Sequence, residues 1–255
     1  MEEKVLTNSP IHYWTNAIRS DTGLVLLHPA FADHGCFDEQ RTYFAERKLI
    51  IPDLLGHGAS IGDGTIAQTA EWLAGIMEAE GLSRINLVGV SIGGVLAQDF
   101  ANKYPEKIAS LTCIGSYDIN NFDPALQKEN GREQMKMVLM GFLSIRKFAE
   151  ANRKIGAYTS EGQERFYEMN LRFKKSSFRY LASLGSLINQ HRSQPRDYPL
   201  MIGVGEHERP FAVEASRRWA EHEPEARFVV FPGAGHIVNL DTPKRFNEAL
   251  EGFLV

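Results

Sequence analysis

The stretch Ile85–Gly94 constrains the fold more than any other part of the 255-residue chain. Ile85–Val88 is a short, largely apolar run with the length and branching of a buried strand. It leads into Gly89–Gly93, a G-x-S-x-G pattern, after which apolar residues recur at helical spacing as far as Ala101. Strand, sharp turn and helix therefore meet at Ser91, whose hydroxyl is exposed at the carboxyl end of the strand.

The chemistry available at such a turn is nucleophilic. The amide of Ile92 begins the following helix, where negative charge is stabilised. A nucleophilic serine needs such a donor, because its attack on a carbonyl group generates an oxyanion. The pattern consists of common residues and also occurs by chance, so the rest of the chain must supply a base, an acid and a second oxyanion donor.

Composition removes several classes of function. The net charge of −4 gives no reason to propose a nucleic-acid partner or a membrane surface, and no apolar run approaches the roughly 20 residues of a membrane helix. Met1–Lys4 lacks the basic and apolar regions of a signal peptide. Cys36 and Cys113 are far apart in apolar segments, which favours a reduced cytoplasmic protein without a disulfide. No Cys or His spacing matches a structural zinc site, so we expect no metal.

Short apolar runs alternate with helical patterns at both ends of the chain. The predicted strands are Ile11–Trp14, Leu24–Leu27, Leu49–Ile51, Ile85–Val88, Ile108–Ile114, Leu200–Val204 and Arg227–Phe231. The main predicted helices between and after them cover 37–45, 65–80, 212–221 and 242–253. This alternation predicts a doubly wound, mostly parallel sheet, with ligands bound beyond the carboxyl ends of its strands.

Residues 121–195 interrupt the alternation. They contain no convincing strand, but they contain three apolar helical faces. These faces consist of Met135, Val138, Leu139 and Phe142; of Phe166, Met169 and Phe173; and of Leu181, Leu184 and Ile188. We therefore predict a core of 1–120 and 196–255 with a helical lid of 121–195 inserted in it. The lid has 13 Lys and Arg against 7 Asp and Glu, which we interpret as solvated outer faces rather than as attraction for anionic substrates.

Several motifs in order resemble the α/β-hydrolase family. They are Leu24–Phe37 for its oxyanion loop, Asp53–Ser60 for its D-x-x-G-H-G-x-S loop, Gly89–Gly93 for its nucleophile elbow and Gly233–Leu240 for its histidine segment. The resemblance covers nearly the whole chain and is weakest before residue 20 and in the lid. It implies an α/β-hydrolase fold, with the lid after the sixth strand, and a triad in the order serine, acid, histidine.

The resemblance makes Ser91 the nucleophile and His236 its base, since imidazole titrates near neutral pH. It gives structural positions to His28, which would brace the oxyanion loop, and to His57. The remaining histidines have no motif support and are most simply surface residues: His12, His34, His191, His207 and His222.

Three carboxylates are candidates for the acid of the triad. Glu208 follows a late strand, as the triad order requires, although most relatives carry aspartate there. Glu206 is its neighbour and is expected to be solvated. Asp118 follows an earlier strand, where some relatives place the acid.

The oxyanion hole needs two backbone donors. The resemblance assigns the amide of Ala30 beside that of Ile92. The family usually has glycine at the position of Pro29, and proline has no N–H to donate. The alternative is a distorted loop with a poorly formed hole.

These assignments predict a cofactor-independent serine hydrolase that cleaves a small carboxylic ester or lactone through an acyl-enzyme on Ser91. Serine at the elbow disfavours the dehalogenase and epoxide-hydrolase branches of the family, which use aspartate there. Three alternatives remain: a lyase of the menaquinone-pathway type, a carbon–carbon bond hydrolase, and a signalling or ligand-binding protein with slow turnover. The acyl group, the alcohol group and the oligomeric state stay open.

Overall fold

Eight strands form one sheet in the order β1-β2-β4-β3-β5-β6-β7-β8 in the computed structural model, which describes residues 1–121, 139–188 and 196–255. The strands are β1 Glu2–Val5, β2 His12–Thr15, β3 Thr22–Leu27, β4 Leu49–Pro52, β5 Arg84–Val90, β6 Ile108–Ile114, β7 Leu200–Gly205 and β8 Arg227–Phe231. Strands β3 to β8 pair in parallel, whereas β1 and β2 add an antiparallel edge. The predicted doubly wound, mostly parallel sheet is confirmed.

Helices connect the parallel strands. They are α1 Asp38–Tyr43, α2 Thr69–Glu80, α3 Ile92–Lys103, α4 Ile145–Gly156, α5 Ser160–Arg172, α6 Pro210–His222, α7 Val238–Asp241 and α8 Pro243–Glu251. A further helical stretch covers the described residues 139–143. Short 3₁₀ segments cover His34–Phe37, Ile66–Gln68, Pro105–Lys107 and Lys175–Leu187. The helix predicted over 37–45 is therefore shorter, since the Asp33 side chain caps a 3₁₀ turn ahead of it. Strand β1 was not predicted, because its residues are mostly polar and exposed at the sheet edge.

Two apolar cores lie on opposite faces of the sheet. Strand β5 contributes to both, with Ile85 and Leu87 in one core and Val88 and Val90 in the other. This follows from the alternation of side chains along a strand, and it explains why a strand covered on both faces is apolar throughout. Burying each such side chain contributes about 1.5–3 kcal/mol, so the cores fix the strand ends on which the site is built.

The described part of the predicted lid consists of a helical stretch at 139–143, α4, α5 and the 3₁₀ segment Lys175–Leu187. The face predicted from Phe166, Met169 and Phe173 is buried. Of the first predicted face, Met135 and Val138 lie outside the described residues, and Leu139 and Phe142 are exposed.

Three arginines of α4 and α5 are paired with acidic side chains. Arg153 meets Glu150 and Glu164, Arg165 meets Glu39, and Arg172 meets Asp33. Their positive charge is therefore compensated, which agrees with the interpretation of the basic residues as outer faces.

Cys36 and Cys113 are buried free thiols. The described helices include none with the length and apolar character that a membrane crossing requires. Over the same ranges, no three His, Cys, Asp or Glu side chains form a group suited to holding a metal ion.

Candidate active site

Ser91 joins β5 to α3 in a strained backbone conformation. Its φ is +56° and its ψ −118°, a conformation that costs a non-glycine residue about 1–3 kcal/mol. The Ser91 amide donates to the carbonyl of Ile114 at the end of β6, over 2.8 Å. The side chain makes no capping hydrogen bond to α3, which leaves the hydroxyl available for chemistry.

The turn closes because glycines flank it at close quarters. A Cβ at Gly93 would lie 2.2 Å from the carbonyl oxygen of Leu27, at the end of β3. A Cβ at Gly89 would lie 2.2 Å from the carbonyl oxygen of Gly93. Only glycine fits such approaches, so the sequence pattern is a steric requirement of the turn.

We expect Gly89→Ala to lower the free energy of unfolding by about 3 kcal/mol, since its methyl group overlaps backbone atoms that cannot move aside. Urea denaturation measures the loss. Gly185→Ala is the matched control, because a Cβ there has no neighbour within 4 Å. Equal stability of the two variants would contradict this account of the turn.

His236 and Glu208 are brought together by the ends of β7 and β8. In the loop that follows β7, the Glu206 amide donates to the carbonyl of Phe231 over 3.0 Å, and the His207 amide donates to the carbonyl of Ala234 over 2.8 Å. These bonds align the two loops, and Nδ1 of His236 is hydrogen-bonded to Oε2 of Glu208. The other Glu208 oxygen accepts from the amide of Arg209 over 2.9 Å. The carboxylate is therefore held at both oxygens.

The His236 ring lies beside the elbow. A Cβ at Gly115 would be 3.1 Å from Nδ1 and 3.2 Å from Cε1 of this ring, and Gly115 follows the residue whose carbonyl accepts from Ser91. Within the described ranges, the Ser91 hydroxyl is not hydrogen-bonded to His236. Such contacts are often long without substrate and tighten in the complex.

Burial and charge act in opposite directions on this pair. Burial lowers the pKa of His236, but the Glu208 carboxylate raises it by more than burial lowers it. The pKa of His236 therefore lies above its ordinary value. Burial raises the pKa of Glu208, and the His236 imidazolium lowers it to below its ordinary value. Glu208 is therefore ionised wherever His236 titrates, as a partner that stabilises imidazolium must be.

The other two candidate acids have different partners. Glu206 has a half-exposed side chain and accepts from the amide of Gly233 over 2.9 Å. Asp118 accepts from the amide of Asn120 and from the side chain of Asn121. Of the three carboxylates, Glu208 alone is hydrogen-bonded to His236 in the described structure.

Three further histidines surround the buried Asp53. His28 donates from Nδ1 to the carbonyl of Pro29 and accepts at Nε2 from the amide of Leu54, so both ring nitrogens are occupied. Burial lowers the pKa of His57 to about 3. His34 is hydrogen-bonded to the Asp53 carboxylate through both its backbone amide and its ring. The same ring stacks on Trp14, with 3.4 Å between the ring centroids.

His34, which we expected at the surface, is partly exposed and partly held by neighbouring side chains. Its side chain is only 30% exposed, because Asp53 and Trp14 hold it against the fold. His191 lies outside the described residues.

The loop after β3 presents the second candidate oxyanion donor. The Pro29 carbonyl accepts from the His28 ring and from the amide of Ala32, which folds the loop into a turn. Within the described residues, the amides of Ala30 and Ile92 have no acceptor. Both N–H groups are therefore without a protein acceptor in the described structure, as donors to an oxyanion must be.

An aromatic wall extends from this loop into the predicted lid, and sequence reasoning missed it as a unit. Phe31 has φ +66°. The centroid of its ring lies 4.8 Å from that of Phe148, 5.1 Å from that of Phe173 and 5.7 Å from that of Phe178. The three lid rings are buried. Phe31, the partner of these rings, directly follows Ala30, so an aromatic cluster lies next to the candidate oxyanion donor. Only the apolar spacing that includes Phe173 signalled this wall in the sequence.

Comparison with known proteins identifies the family and the fold. A family model described as alpha/beta hydrolase fold matches residues 23–243. A 2-hydroxymuconate semialdehyde hydrolase of Pseudomonas putida is 28% identical over an alignment of 222 positions that covers 82% of this chain and 77% of that protein.

Two solved structures share the fold. A thermophilic esterase from Thermogutta terrifontis is 24% identical with a TM-score of 0.79, covering 98% of this chain and 96% of its own. An enol-lactonase from Burkholderia xenovorans LB400 is 18% identical with a TM-score of 0.79, covering 99% of each chain. The family model spans most of the chain, which therefore belongs to the α/β-hydrolase fold family.

Proposed function

We propose that this protein is a serine hydrolase that cleaves small carboxylic esters or lactones through an acyl-enzyme on Ser91. The observation that carries the proposal is the strained serine at the elbow beside a histidine bonded to a buried glutamate. Nucleophile, base and orienting acid are the three roles that acyl transfer requires.

In this mechanism, His236 takes the proton of the Ser91 hydroxyl while the Ser91 oxygen attacks the substrate carbonyl. The resulting oxyanion accepts hydrogen bonds from the amides of Ala30 and Ile92. His236 then gives the proton to the leaving alkoxide, which departs as an alcohol. Water, deprotonated by the same ring, hydrolyses the acyl-enzyme and returns the hydroxyl to Ser91. Glu208 stabilises the imidazolium in both halves of the reaction.

The aromatic wall favours an uncharged acyl or alcohol group. Phe31, Phe148, Phe173 and Phe178 form a largely buried aromatic cluster beside the oxyanion loop. A charged group placed against it would lose hydration without gaining a partner.

The direct test is a series of p-nitrophenyl esters from acetate to laurate, together with simple lactones. We expect turnover that depends on the length of the acyl chain, because the bulky aromatic cluster beside the oxyanion loop would limit the room for that chain. Labelling by a fluorophosphonate, with the adduct located on Ser91 by mass spectrometry, tests the acyl-enzyme. The proposal would be overturned by an absence of both turnover and labelling in correctly folded protein.

A carbon–carbon bond hydrolase is the second candidate, and the 28% identity to the Pseudomonas putida hydrolase favours it. The same triad would serve that reaction. Assay on 2-hydroxymuconate semialdehyde beside the esters separates the two, since the preferred class has the higher kcat/KM. A lyase assay and a pull-down address the remaining alternatives, a lyase of the menaquinone-pathway type and a slowly turning-over binding protein.

The pH dependence follows from the base. Attack requires neutral His236, whose pKa lies above 6.5. We therefore expect kcat/KM to rise with pH through an apparent pKa above 6.5, and to fall as acid protonates the ring. A profile of kcat/KM from about pH 5 to about pH 9 measures this limb. A midpoint well below 6.5 would contradict the assignment of His236 as the base.

A further inference from the structure

Asp241, which ends α7, collects four hydrogen bonds. Its Oδ1 accepts from the amide of Thr159 over 2.8 Å and from the Thr159 hydroxyl over 2.7 Å. Its Oδ2 accepts from the amides of Tyr158 and Gly235, over 2.9 and 2.8 Å. Asp241 is only 9% exposed, so these contacts are sheltered from water.

The donors come from two parts of the molecule. Tyr158 and Thr159 form the turn between the lid helices α4 and α5, and Thr159 also caps α5 by accepting from the amide of Gly162. Gly235 immediately precedes His236. A single carboxylate therefore bridges the turn of the lid and the loop of the candidate base.

A second bond completes the connection on the other side of His236. The amide of Ile237 donates to the carbonyl of Gly156, the last residue of α4, over 2.7 Å. The two residues that flank His236 are thus both tied to the α4–α5 turn. The α4–α5 turn also packs closely against the His236 loop, since a Cβ at Gly235 would lie 3.0 Å from the amide nitrogen of Tyr158.

The chemistry of these contacts requires an acceptor at both oxygens. All four donors are N–H or O–H groups, and an ionised carboxylate accepts at both positions without donating. An asparagine of the same shape would direct its NH₂ group at N–H groups on one side. One set of contacts would then become repulsive.

We propose that Asp241 is a positioning residue, which fixes the His236 loop to the α4–α5 turn and so holds the imidazole in register with Glu208 and Ser91. The proposal rests on the serine hydrolase function proposed above. It implies that displacement of the lid turn displaces the base. A shift of about 1 Å in a catalytic group can cost about 100-fold in rate.

The test compares Asp241→Asn with Glu161→Gln. Glu161 lies in the first turn of α5 and is exposed, so its replacement removes a charge near the same helix end without touching the His236 loop. We expect Asp241→Asn to lower kcat/KM for p-nitrophenyl ester hydrolysis by about 10- to 100-fold, and Glu161→Gln to leave it within about two-fold.

The second readout is the pKa of His236, measured by NMR titration of protein labelled with ¹⁵N-histidine. Burial, Glu208 and Arg209 act on this ring, and Glu208 is the group that raises its pKa. Loosening the loop weakens that contact, so the pKa of His236 should fall in Asp241→Asn and stay unchanged in Glu161→Gln. A general loss of stability would not produce this shift in the folded protein.

Folded Asp241→Asn with the kcat/KM and the His236 pKa of the wild type would overturn the proposal, as would equal effects of the two variants. If Asp241→Asn does not fold, Thr159→Ala removes one donor to Asp241, and a loss of about three-fold with the same direction of pKa shift is expected. An unchanged Thr159→Ala would then refute it. A wild type without turnover would refute the hydrolase function alone, because the NMR comparison needs no substrate.

Discussion

Ser91→Ala is expected to lower kcat/KM for ester hydrolysis by about 10⁴- to 10⁶-fold, because no other group in the proposed mechanism can form the acyl-enzyme. The binding surfaces and the oxyanion donors would remain, so KM should change little. Steady-state kinetics on the best p-nitrophenyl ester, with enzyme concentration varied over several decades, measures the residual rate. Fluorophosphonate labelling should disappear in parallel.

The matched control is Ser116→Ala. Ser116 is a buried serine packed against Gly94 in α3, and its hydroxyl has no hydrogen-bond partner within the described residues. It shares the neighbourhood of Ser91 without its position at the turn, so we expect activity within a few-fold of the wild type. Loss of activity in Ser116→Ala equal to that in Ser91→Ala, or full activity of Ser91→Ala, would refute Ser91 as the nucleophile.

Glu208→Gln should produce the second largest effect, a fall in kcat of about 10³- to 10⁴-fold. Glutamine is nearly isosteric, so the fold should persist. Its amide does not compensate the charge of imidazolium, and its NH₂ group facing Nδ1 favours the wrong tautomer of His236. The carboxylate of Glu208 is only 2% exposed, so water cannot replace it.

Glu206→Gln is the natural comparison, since it makes the same change two residues away. The Glu206 side chain is 54% exposed and accepts from a loop amide rather than from His236. We expect kcat within about two-fold of the wild type, as for most exposed polar substitutions. Determination of kcat for both variants at one pH decides between the acids. A larger loss in Glu206→Gln would reassign the orienting carboxylate.

Local patterns were sufficient for the parts of the molecule that depend on neighbours in sequence. The elbow at Ser91 follows from glycine spacing, and the parallel sheet follows from apolar runs such as β5 alternating with helices. The end of the helix predicted over 65–80 is equally local, since Gly81 caps α2 with φ +69°.

Contacts between distant segments were not accessible in this way. The three candidate acids differ in the residues they contact in the folded protein. Glu208 reaches His236 because β7 and β8 are neighbours in the sheet. Phe31 gains its wall from lid residues more than 100 positions away. Asp241 appears in the sequence as an ordinary acid, since its four donors come from segments that the chain brings together only on folding.

The backbone of Ser91 has a consequence for how the whole chain can change. Holding a serine at φ +56° costs about 1–3 kcal/mol, whereas a native protein has a total stability of only about 5–15 kcal/mol. Substitutions that improve packing on either side of the sheet would therefore widen the range of active-site sequences that the chain tolerates. Residues far from any substrate, such as those of the two cores, would in this sense set how readily the protein acquires a new specificity.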